Sequence, residues 1–277
     1  SHLAFIAHDL IRAIKESFPS IPLVMGGVYP STQYRLAMQA KADYIILGEA
    51  EITICELIDY LISYGSRPLP KGVISNRDHQ NSIDNITPVY VEDLDTLPSP
   101  ARELLFFGKR AITKSQRLQI HRTASIITSR GCPFDCNFCS VHPVCGYKWR
   151  ARSVQNVLNE IDELINNYEI NTFEIEDDNF ILNKERAVEI LEGFIKRSNN
   201  KQHRRIAWAV CNGIRIDTLD EEIMNVIARS NCLHFAIALE HGDKEMLDLM
   251  NKKLDLSKAV EVVRLIKKFE IPANIFI

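Results

Sequence analysis

The sequence predicts an α/β protein in two parts, a short partial α/β domain followed by a partial (β/α) barrel. Short apolar segments alternate with amphipathic helical segments along most of the chain, which is the pattern of parallel βα units. The alternation stops between Gly65 and Thr123, where prolines and polar residues replace it. We therefore expect domains at residues 1–64 and 124–277, joined by a linker at residues 65–123.

The first domain is predicted from two apolar strands that both end at glycine. Gly26 and Gly27 follow the first strand, and Gly48 follows the second. Two strands are too few for an independent sheet, so we expect the rest of this domain upstream of Ser1. In order, the predicted elements are a helix carrying Ile6 to Phe18, a strand at 21–25, a helix around 31–40, a strand at 44–47 and a helix carrying Ile52 to Leu61.

The second domain is predicted from five βα repeats in a row, which indicate a (β/α) barrel or part of one. Ser153 is expected to cap the first helix, and Thr218 with Glu221 forms a capping box before a later helix. The last segment reads as an unfinished strand and the chain does not begin with Met, so we expect it to be cut at both ends. The predicted strands are 124–128, 172–176, 206–211, 234–240 and 273–277.

The composition excludes several classes of protein. Lys and Arg number 33 against 36 Asp and Glu, so the chain lacks the positive charge expected of a general nucleic-acid binder. The sequence contains no apolar run of the roughly 18 residues that a membrane span needs, and its start does not resemble a signal peptide. Seven cysteines are sparse for a disulfide scaffold, so we expect a reducing, cytoplasmic location.

Three cysteines lie close together directly after the first barrel strand. Cys132, Cys136 and Cys139 have C-x3-C-x2-C spacing, and thiolates at this density favour zinc or an iron–sulfur cluster. A structural zinc ion would need a fourth ligand, for which His142 and Cys145 are candidates. A cubane cluster on three cysteines would instead leave one iron open. The position favours the cluster, because barrel enzymes place their chemistry at the carboxyl ends of the strands.

The segment Thr128–Cys139, with Phe138 before its third cysteine, resembles the radical S-adenosylmethionine (SAM) motif. The resemblance extends along the barrel, through Trp149–Ser153, Glu176–Phe180, Gly213–Asp217 and Ala238–His241. Upstream, Gly26-Gly27 and Gly48–Glu51 resemble the C-terminal half of the flavodoxin-like (Rossmann-like) cobalamin-binding domain of one radical SAM subclass, and Glu92–Pro100 resembles its connector.

This resemblance implies a [4Fe–4S] cluster on Cys132, Cys136 and Cys139 with SAM on the open iron. It implies reductive cleavage of SAM to a 5′-deoxyadenosyl radical, an electron donor such as flavodoxin or ferredoxin, and a small-molecule substrate. Members of the subclass mostly transfer a methyl group from methylcobalamin, while some close rings or rearrange skeletons. Two alternatives stay open, a radical SAM enzyme that does not bind cobalamin and a non-enzymatic zinc or cluster module.

The resemblance also implies cofactor contacts at the ends of the barrel strands. The adenine of SAM is expected to contact Phe138, and its ribose to contact Glu240. The ammonium group of SAM is expected to contact Asp177 or Asp178, and its carboxylate to contact Arg215. Cobalamin is expected to contact Gly26 and Gly27.

Each of these residues also has an ordinary structural explanation. Phe138 would be a packing residue, and Asp177 and Asp178 would cap a helix beginning near Asn183. Arg215 would form an ion pair with Asp217, and Glu240 would form an internal ion pair. Gly26-Gly27 would be a plain turn from strand to loop. Lys252 is expected to be a solvated helix charge and Cys145 a spare thiol.

Overall fold

The computed structural model describes residues 3–76, 86–104, 122–199 and 205–277. Parts of the predicted linker, residues 77–85 and 105–121, therefore lie outside the described residues. The chain divides into two compact units, of which unit 1 contains residues 1–92, 131–133 and 139–148, and unit 2 contains residues 93–130, 134–138 and 149–277. Within the described part of the chain, no helix has the length and apolar character needed to cross a membrane.

Unit 1 contains a small mixed sheet in which β2 pairs with β1 in parallel and with β3 in antiparallel orientation. Its apolar core includes Ala37, Ile45 and Leu57, which are fully buried. The elements are β1 (Val24–Met25), β2 (Tyr44–Ile46), β3 (Val73–Ser75), α1 (Leu3–Ser17), α2 (Val28–Thr32), α3 (Tyr34–Ala37), α4 (Glu51–Ile62) and α5 (His142–Cys145).

Unit 1 differs from the sequence prediction in two respects. The strand β3 lies inside the predicted linker, so residues 65–92 belong to unit 1 and residues 93–104 to unit 2. The single helix expected around residues 31–40 is instead two short helices, α2 and α3, and a 3-10 turn at Met38–Ala40. Gln33 separates the two helices with φ −135° and ψ 45°, a non-helical conformation.

Unit 2 contains the parallel sheet that the five predicted strands indicated. Within the described residues its strand order is β10-β9-β8-β7-β4, and every neighbouring pair is parallel. The strands are β4 (Thr123–Ile126), β7 (Thr172–Ile175), β8 (Ala207–Ile214), β9 (Cys232–Ala238) and β10 (Ala273–Phe276), with a separate two-stranded ribbon of β5 (Ser129–Arg130) and β6 (Arg150–Ala151). The helices are α6 (Val154–Tyr168), α7 (Lys184–Ser198), α8 (Glu221–Arg229), α9 (Lys244–Leu249) and α10 (Leu256–Lys268).

Aromatic side chains fill the core of unit 2. Phe173, Phe194 and Trp208 are completely buried, and the Phe194 ring lies against both of the others. Helix caps set the entry of the chain into the helices: Ser153 Oγ accepts from Asn156 N at the start of α6, as predicted. The predicted cap of α8 is wrong, because Asp220 caps this helix and Thr218 lies in the preceding 3-10 turn.

Candidate functional site

Most of the predicted site residues of unit 2 follow the carboxyl ends of its parallel strands. Asp177 and Asp178 follow β7, Arg215 follows β8 and Glu240 follows β9. Because the strands are parallel, these ends lie at one edge of the sheet, where open α/β sheets and barrels bind their ligands. Along the chain β4 leads into the cysteine segment, of which residues 134–138 belong to unit 2.

The cysteine segment begins at a glycine that a larger residue could not replace. Gly131 has φ 84°, and a Cβ there would collide with the carbonyl oxygen of Lys148. Both backbone polar groups of Cys132, the next residue, have a partner. Its N–H donates to Gly146 O at 3.4 Å, and His142 Nε2 lies 3.1 Å from its carbonyl oxygen. The His142 ring stacks on Tyr147 with 3.7 Å between centroids. His142 therefore supports the backbone at Cys132.

The middle of the cysteine segment, residues 134–138, is contacted by other parts of unit 2. Asn137 N donates to Met250 O at 3.1 Å, and Asn137 Nδ2 donates to Leu249 O at 2.7 Å. In return, Asn251 Nδ2 donates to Asp135 O at 2.6 Å. This stretch, which carries Cys136, is thus hydrogen-bonded to the C-terminal end of α9.

Asp177 has a role that neither of its predicted explanations describes. Its carboxylate is 2% exposed and accepts hydrogen bonds from Thr128 N, Thr128 Oγ1 and Ser129 Oγ, each at 2.6 Å. Burial raises the pKa of Asp177, and these hydrogen bonds partly offset the rise. The side chain that caps α7 is that of Asn183. Asp177 joins the end of β7 to the chain that leads into the cysteine segment, and the ammonium contact expected for it stays a prediction.

Arg215 and Glu240 both pair with residues of their own unit. Arg215 donates to both oxygens of Asp217, at 3.1 and 2.9 Å, which is the structural alternative expected for it. Lys252 Nζ donates to Glu240 Oε1 at 2.9 Å, although Lys252 was expected to be solvated. Lys252 is only 3% exposed, so that expectation was wrong and Lys252 belongs to the candidate site.

One feature of the sequence points to Lys252 as a site residue. It lies directly after Asn251, which has φ 52° and marks the end of α9 rather than its interior. Asn is enriched at such left-handed positions. A Lys placed just beyond a helix end can turn inward to a nearby carboxylate.

For the remaining predicted residues, the expected contacts with SAM or cobalamin stay predictions. Phe138 has 53% of its surface exposed and lies 5.9 Å from Lys252 Nζ, measured to the ring centroid, so it is not a packing residue of the core. Asp178 follows Asp177 at the strand end and is half-buried. Gly27 has φ 94°, and a Cβ there would meet no atom within 4 Å.

Among the described residues, no three Cys, His, Asp or Glu side chains converge as a metal-binding group.

Two curated relatives resemble nearly the whole of this chain. An uncharacterized methyltransferase of Pyrococcus horikoshii is 28% identical over 271 residues, which cover 96% of this chain and 56% of the relative. The anaerobic magnesium-protoporphyrin IX monomethyl ester cyclase of Synechocystis sp. is 25% identical over 268 residues, covering 93% of this chain and 50% of the relative. The chain therefore spans about half the length of the curated relatives it matches.

A solved structure has the same fold. That structure, of the cobalamin-dependent S-adenosylmethionine radical enzyme OxsB with aqua-cobalamin bound, matches with a TM-score of 0.75 and 21% identity, covering 99% of this chain and 39% of the other. Residues 126–277 match the family described as the radical SAM superfamily. Because this match begins at the end of β4 and includes all three clustered cysteines, the chain belongs to the radical SAM superfamily.

Proposed function

We propose that the full-length protein is a cobalamin-dependent radical SAM methyltransferase. The observation that carries the proposal is the C-x3-C-x2-C segment directly after the first strand of a parallel sheet, whose later strands are followed in the chain by Asp178 and Glu240. The methyltransferase of Pyrococcus horikoshii supports the class of reaction.

The chemical type of the donors, rather than their arrangement in the structure, fits a [4Fe–4S] cluster and SAM. Three half-buried thiols on one short segment form a soft donor set, and three cysteines leave one iron open for a non-protein ligand. Asn179 lies in the same strand-end segment as Asp178, and within the described residues its buried amide has no hydrogen-bond partner. A buried amide without a partner is costly, so this position suits a bound polar group.

The cluster and SAM would supply the radical chemistry, and the protein side chains would hold SAM in place. When bound and reduced, the cluster would supply one electron that breaks the S–C5′ bond of SAM, giving methionine and a carbon radical that takes a hydrogen atom from the substrate. Glu240 would accept hydrogen bonds from the ribose hydroxyls, and Lys252 would hold that carboxylate in place. Asp178 would accept from the ammonium group of SAM, and Phe138 would lie against the adenine.

For cobalamin, the proposal rests on the carboxyl end of β1. Gly26 and Gly27 follow this strand, and the open space around the missing Cβ of Gly27 allows a large ligand to approach the backbone. OxsB, the structural neighbour, is described as cobalamin-dependent. The residues present therefore suit cobalamin at this strand end.

A second candidate is a radical reaction without methyl transfer, such as ring closure. The cyclase of Synechocystis sp., which matches nearly the whole chain, favours this candidate. Methyl transfer consumes SAM as a methyl donor and forms S-adenosylhomocysteine, whereas ring closure forms only 5′-deoxyadenosine and methionine from SAM.

The test uses the full-length protein, reconstituted anaerobically with iron and sulfide and reduced by flavodoxin or dithionite. We expect 5′-deoxyadenosine to form from SAM even without substrate, and cobalamin to remain with the protein through gel filtration. S-adenosylhomocysteine as an additional product would support methyl transfer. A cluster-loaded protein that forms 5′-deoxyadenosine but no S-adenosylhomocysteine would favour the second candidate. A colourless protein with one bound zinc would contradict both.

A further inference from the structure

The stretch around Cys136 is contacted from two sides by one short turn. We define the support turn as residues 249–253, which lie at and beyond the C-terminal end of α9. On one side of Cys136 the turn accepts hydrogen bonds from Asn137, and on the other side Asn251 donates to Asp135 O. The two asparagines donate in opposite directions, so neither segment can shift without breaking a hydrogen bond to the other.

The hydrogen-bonding needs of a helix end explain why Asn137 fits here. The last carbonyl groups of a helix have no donor within the helix and must find partners elsewhere. Asn137 offers two donors, its backbone N–H and its side-chain amide, to the consecutive carbonyls of Met250 and Leu249. An aspartate at position 137 would place a carboxylate against a carbonyl oxygen and lose one of the two donors.

The support turn is itself well defined. Asn251 adopts φ 52°, and its N–H donates to Asp248 O at 3.0 Å. Lys252 N–H donates to Leu247 O at 2.8 Å, and the Lys252 side chain pairs with Glu240. These contacts fix the turn to α9 and to the end of β9.

Arg215 links the same turn to a further residue of the cysteine segment. Its guanidinium group lies 3.7 Å from the centroid of the Phe134 ring, a cation–π contact, and Arg215 Nη2 donates to Lys253 O at 2.8 Å. Asp217 orients the guanidinium group through two further hydrogen bonds. Phe134 and Asn137, which lie on either side of Cys136 in the sequence, are thus both tied to the support turn.

We propose that the support turn positions Cys136 for cluster binding, with Asn137 and Asn251 as the positioning residues. This inference rests on the proposed function, because it concerns the cluster that the cysteines would hold. The turn also carries Lys252, the partner of Glu240, so one element fixes both a cluster ligand and the strand end expected to meet SAM.

The test compares Asn137→Asp and Asn251→Gly with the parent in the full-length protein. Glycine accepts the left-handed backbone of position 251, so this variant removes the amide donor and keeps the turn. The matched control is Asn225→Asp, on the exposed surface of α8, where the amide oxygen only accepts from Arg229 Nε. Two properties are measured, hydrogen exchange of residues 133–139 before cluster loading, and the EPR spectrum and reduction potential after anaerobic reconstitution.

We expect exchange of residues 133–139 to rise by about threefold to tenfold in both variants, as for the loss of one or two hydrogen bonds. The EPR g-values and the reduction potential should shift in both variants and stay at parent values in Asn225→Asp. Thermal unfolding of the variants near that of the parent would exclude a general loss of structure.

Unchanged exchange and an unchanged EPR spectrum in both variants, in a parent that carries a SAM-responsive cluster, would overturn this inference and leave the proposed function intact. Faster exchange with an unchanged EPR spectrum would also overturn it, because the contacts would then not influence the cluster. A parent that takes up no cluster would overturn the proposed function, and the positioning role with it, whatever the exchange data show.

Discussion

Lys252 and Glu240 form a largely buried ion pair at the end of β9, with 2.9 Å between Lys252 Nζ and Glu240 Oε1. Glu240 is held with φ 70°, and its backbone N–H donates to Phe276 O at 2.8 Å. Both the backbone and the carboxylate of Glu240 are therefore fixed. Because Lys252 holds it, the Glu240 carboxylate can meet a ligand in one orientation.

Replacing Lys252 by Met should weaken SAM binding. The Glu240 carboxylate loses its charged donor, and a charge-assisted hydrogen bond contributes about 1.5–3 kcal/mol, so we expect the Kd for SAM to rise about tenfold or more. Isothermal titration of the reconstituted full-length protein with SAM measures this. The control is Lys253→Met, whose side chain is exposed. Equal affinities in the two variants would show that Lys252 does not serve the SAM site.

Glu160 joins two arginines beside β4, which is the last strand of its sheet within the described residues. It is 4% exposed and pairs with Arg102, at 2.7 Å, and with Arg152. The two arginines also donate to backbone carbonyls at that strand, Arg102 to Ser125 O and Arg152 to Ile127 O. These groups occupy acceptors that another strand could otherwise use.

The substitution Glu160→Gln should therefore destabilise unit 2. Removing one partner of a buried ion pair costs roughly 3–5 kcal/mol, and the partial exposure of both arginines places this case at about 3 kcal/mol. Urea unfolding followed by circular dichroism measures the change in the free energy of unfolding. Glu163→Gln, on the same helix, should change it by less than about 0.5 kcal/mol. Similar losses in both variants would contradict a specific role for Glu160.

Asp177→Asn should loosen the connection between β7 and the chain before the cysteines. The carboxylate accepts from three donors, whereas an amide presents one oxygen and turns an NH₂ group toward the rest. Leaving buried donors unsatisfied costs about 1–3 kcal/mol in the free energy of unfolding. Urea unfolding near pH 3.8, where the contribution of Asp177 is greatest, provides the measurement, and a variant as stable as the parent would contradict the role assigned to Asp177.

Asp177 should also produce a defined pH dependence. Because burial raises its pKa in the folded state, the folded protein binds the Asp177 proton more tightly than the unfolded chain does. The contribution of Asp177 to stability is therefore greatest below the ordinary value of 3.8 and declines as the pH rises through the folded pKa. The difference in unfolding free energy between the parent and Asp177→Asn should accordingly fall with rising pH above 3.8. A difference that grows with pH would mean that folding lowers the pKa of Asp177 instead of raising it.

Gly131→Ala should disturb the start of the cysteine segment. Position 131 has φ 84°, and the added Cβ would collide with the carbonyl oxygen of Lys148. Such backbone strain costs of order 1–3 kcal/mol, and we expect lower cluster occupancy after reconstitution. Iron and sulfide analysis gives the occupancy. Gly242→Ala is the control, because its Cβ would meet nothing within 4 Å. Equal iron contents in the two variants would contradict this role of Gly131.

The regular features of the fold could be predicted from the sequence. The five strands of the parallel sheet lie where apolar segments predicted them, with ends that differ by up to three residues, as for β8, which continues to Ile214. The cysteine spacing also identified the superfamily. These features depend on neighbouring residues in the sequence, so periodicity and spacing suffice to find them.

The features that could not be predicted depend on distant contacts. The strand β3 has three residues and pairs with β2, which lies far from it in the sequence. The role of Asp177 requires Thr128, and that of Lys252 requires Glu240 across the loop and helix α9. A sequence pattern shows which residues are polar, but not which polar partner the fold brings to each of them.

The most direct test of the central claim is EPR spectroscopy of the full-length protein after anaerobic reconstitution and reduction, with and without SAM. We expect a [4Fe–4S]⁺ signal whose g-values change when SAM is added. The signal should disappear in Cys136→Ala and persist in Cys145→Ala. A protein that binds zinc instead, or a cluster whose EPR signal does not change on addition of SAM, would show that the cysteines do not form a radical SAM centre.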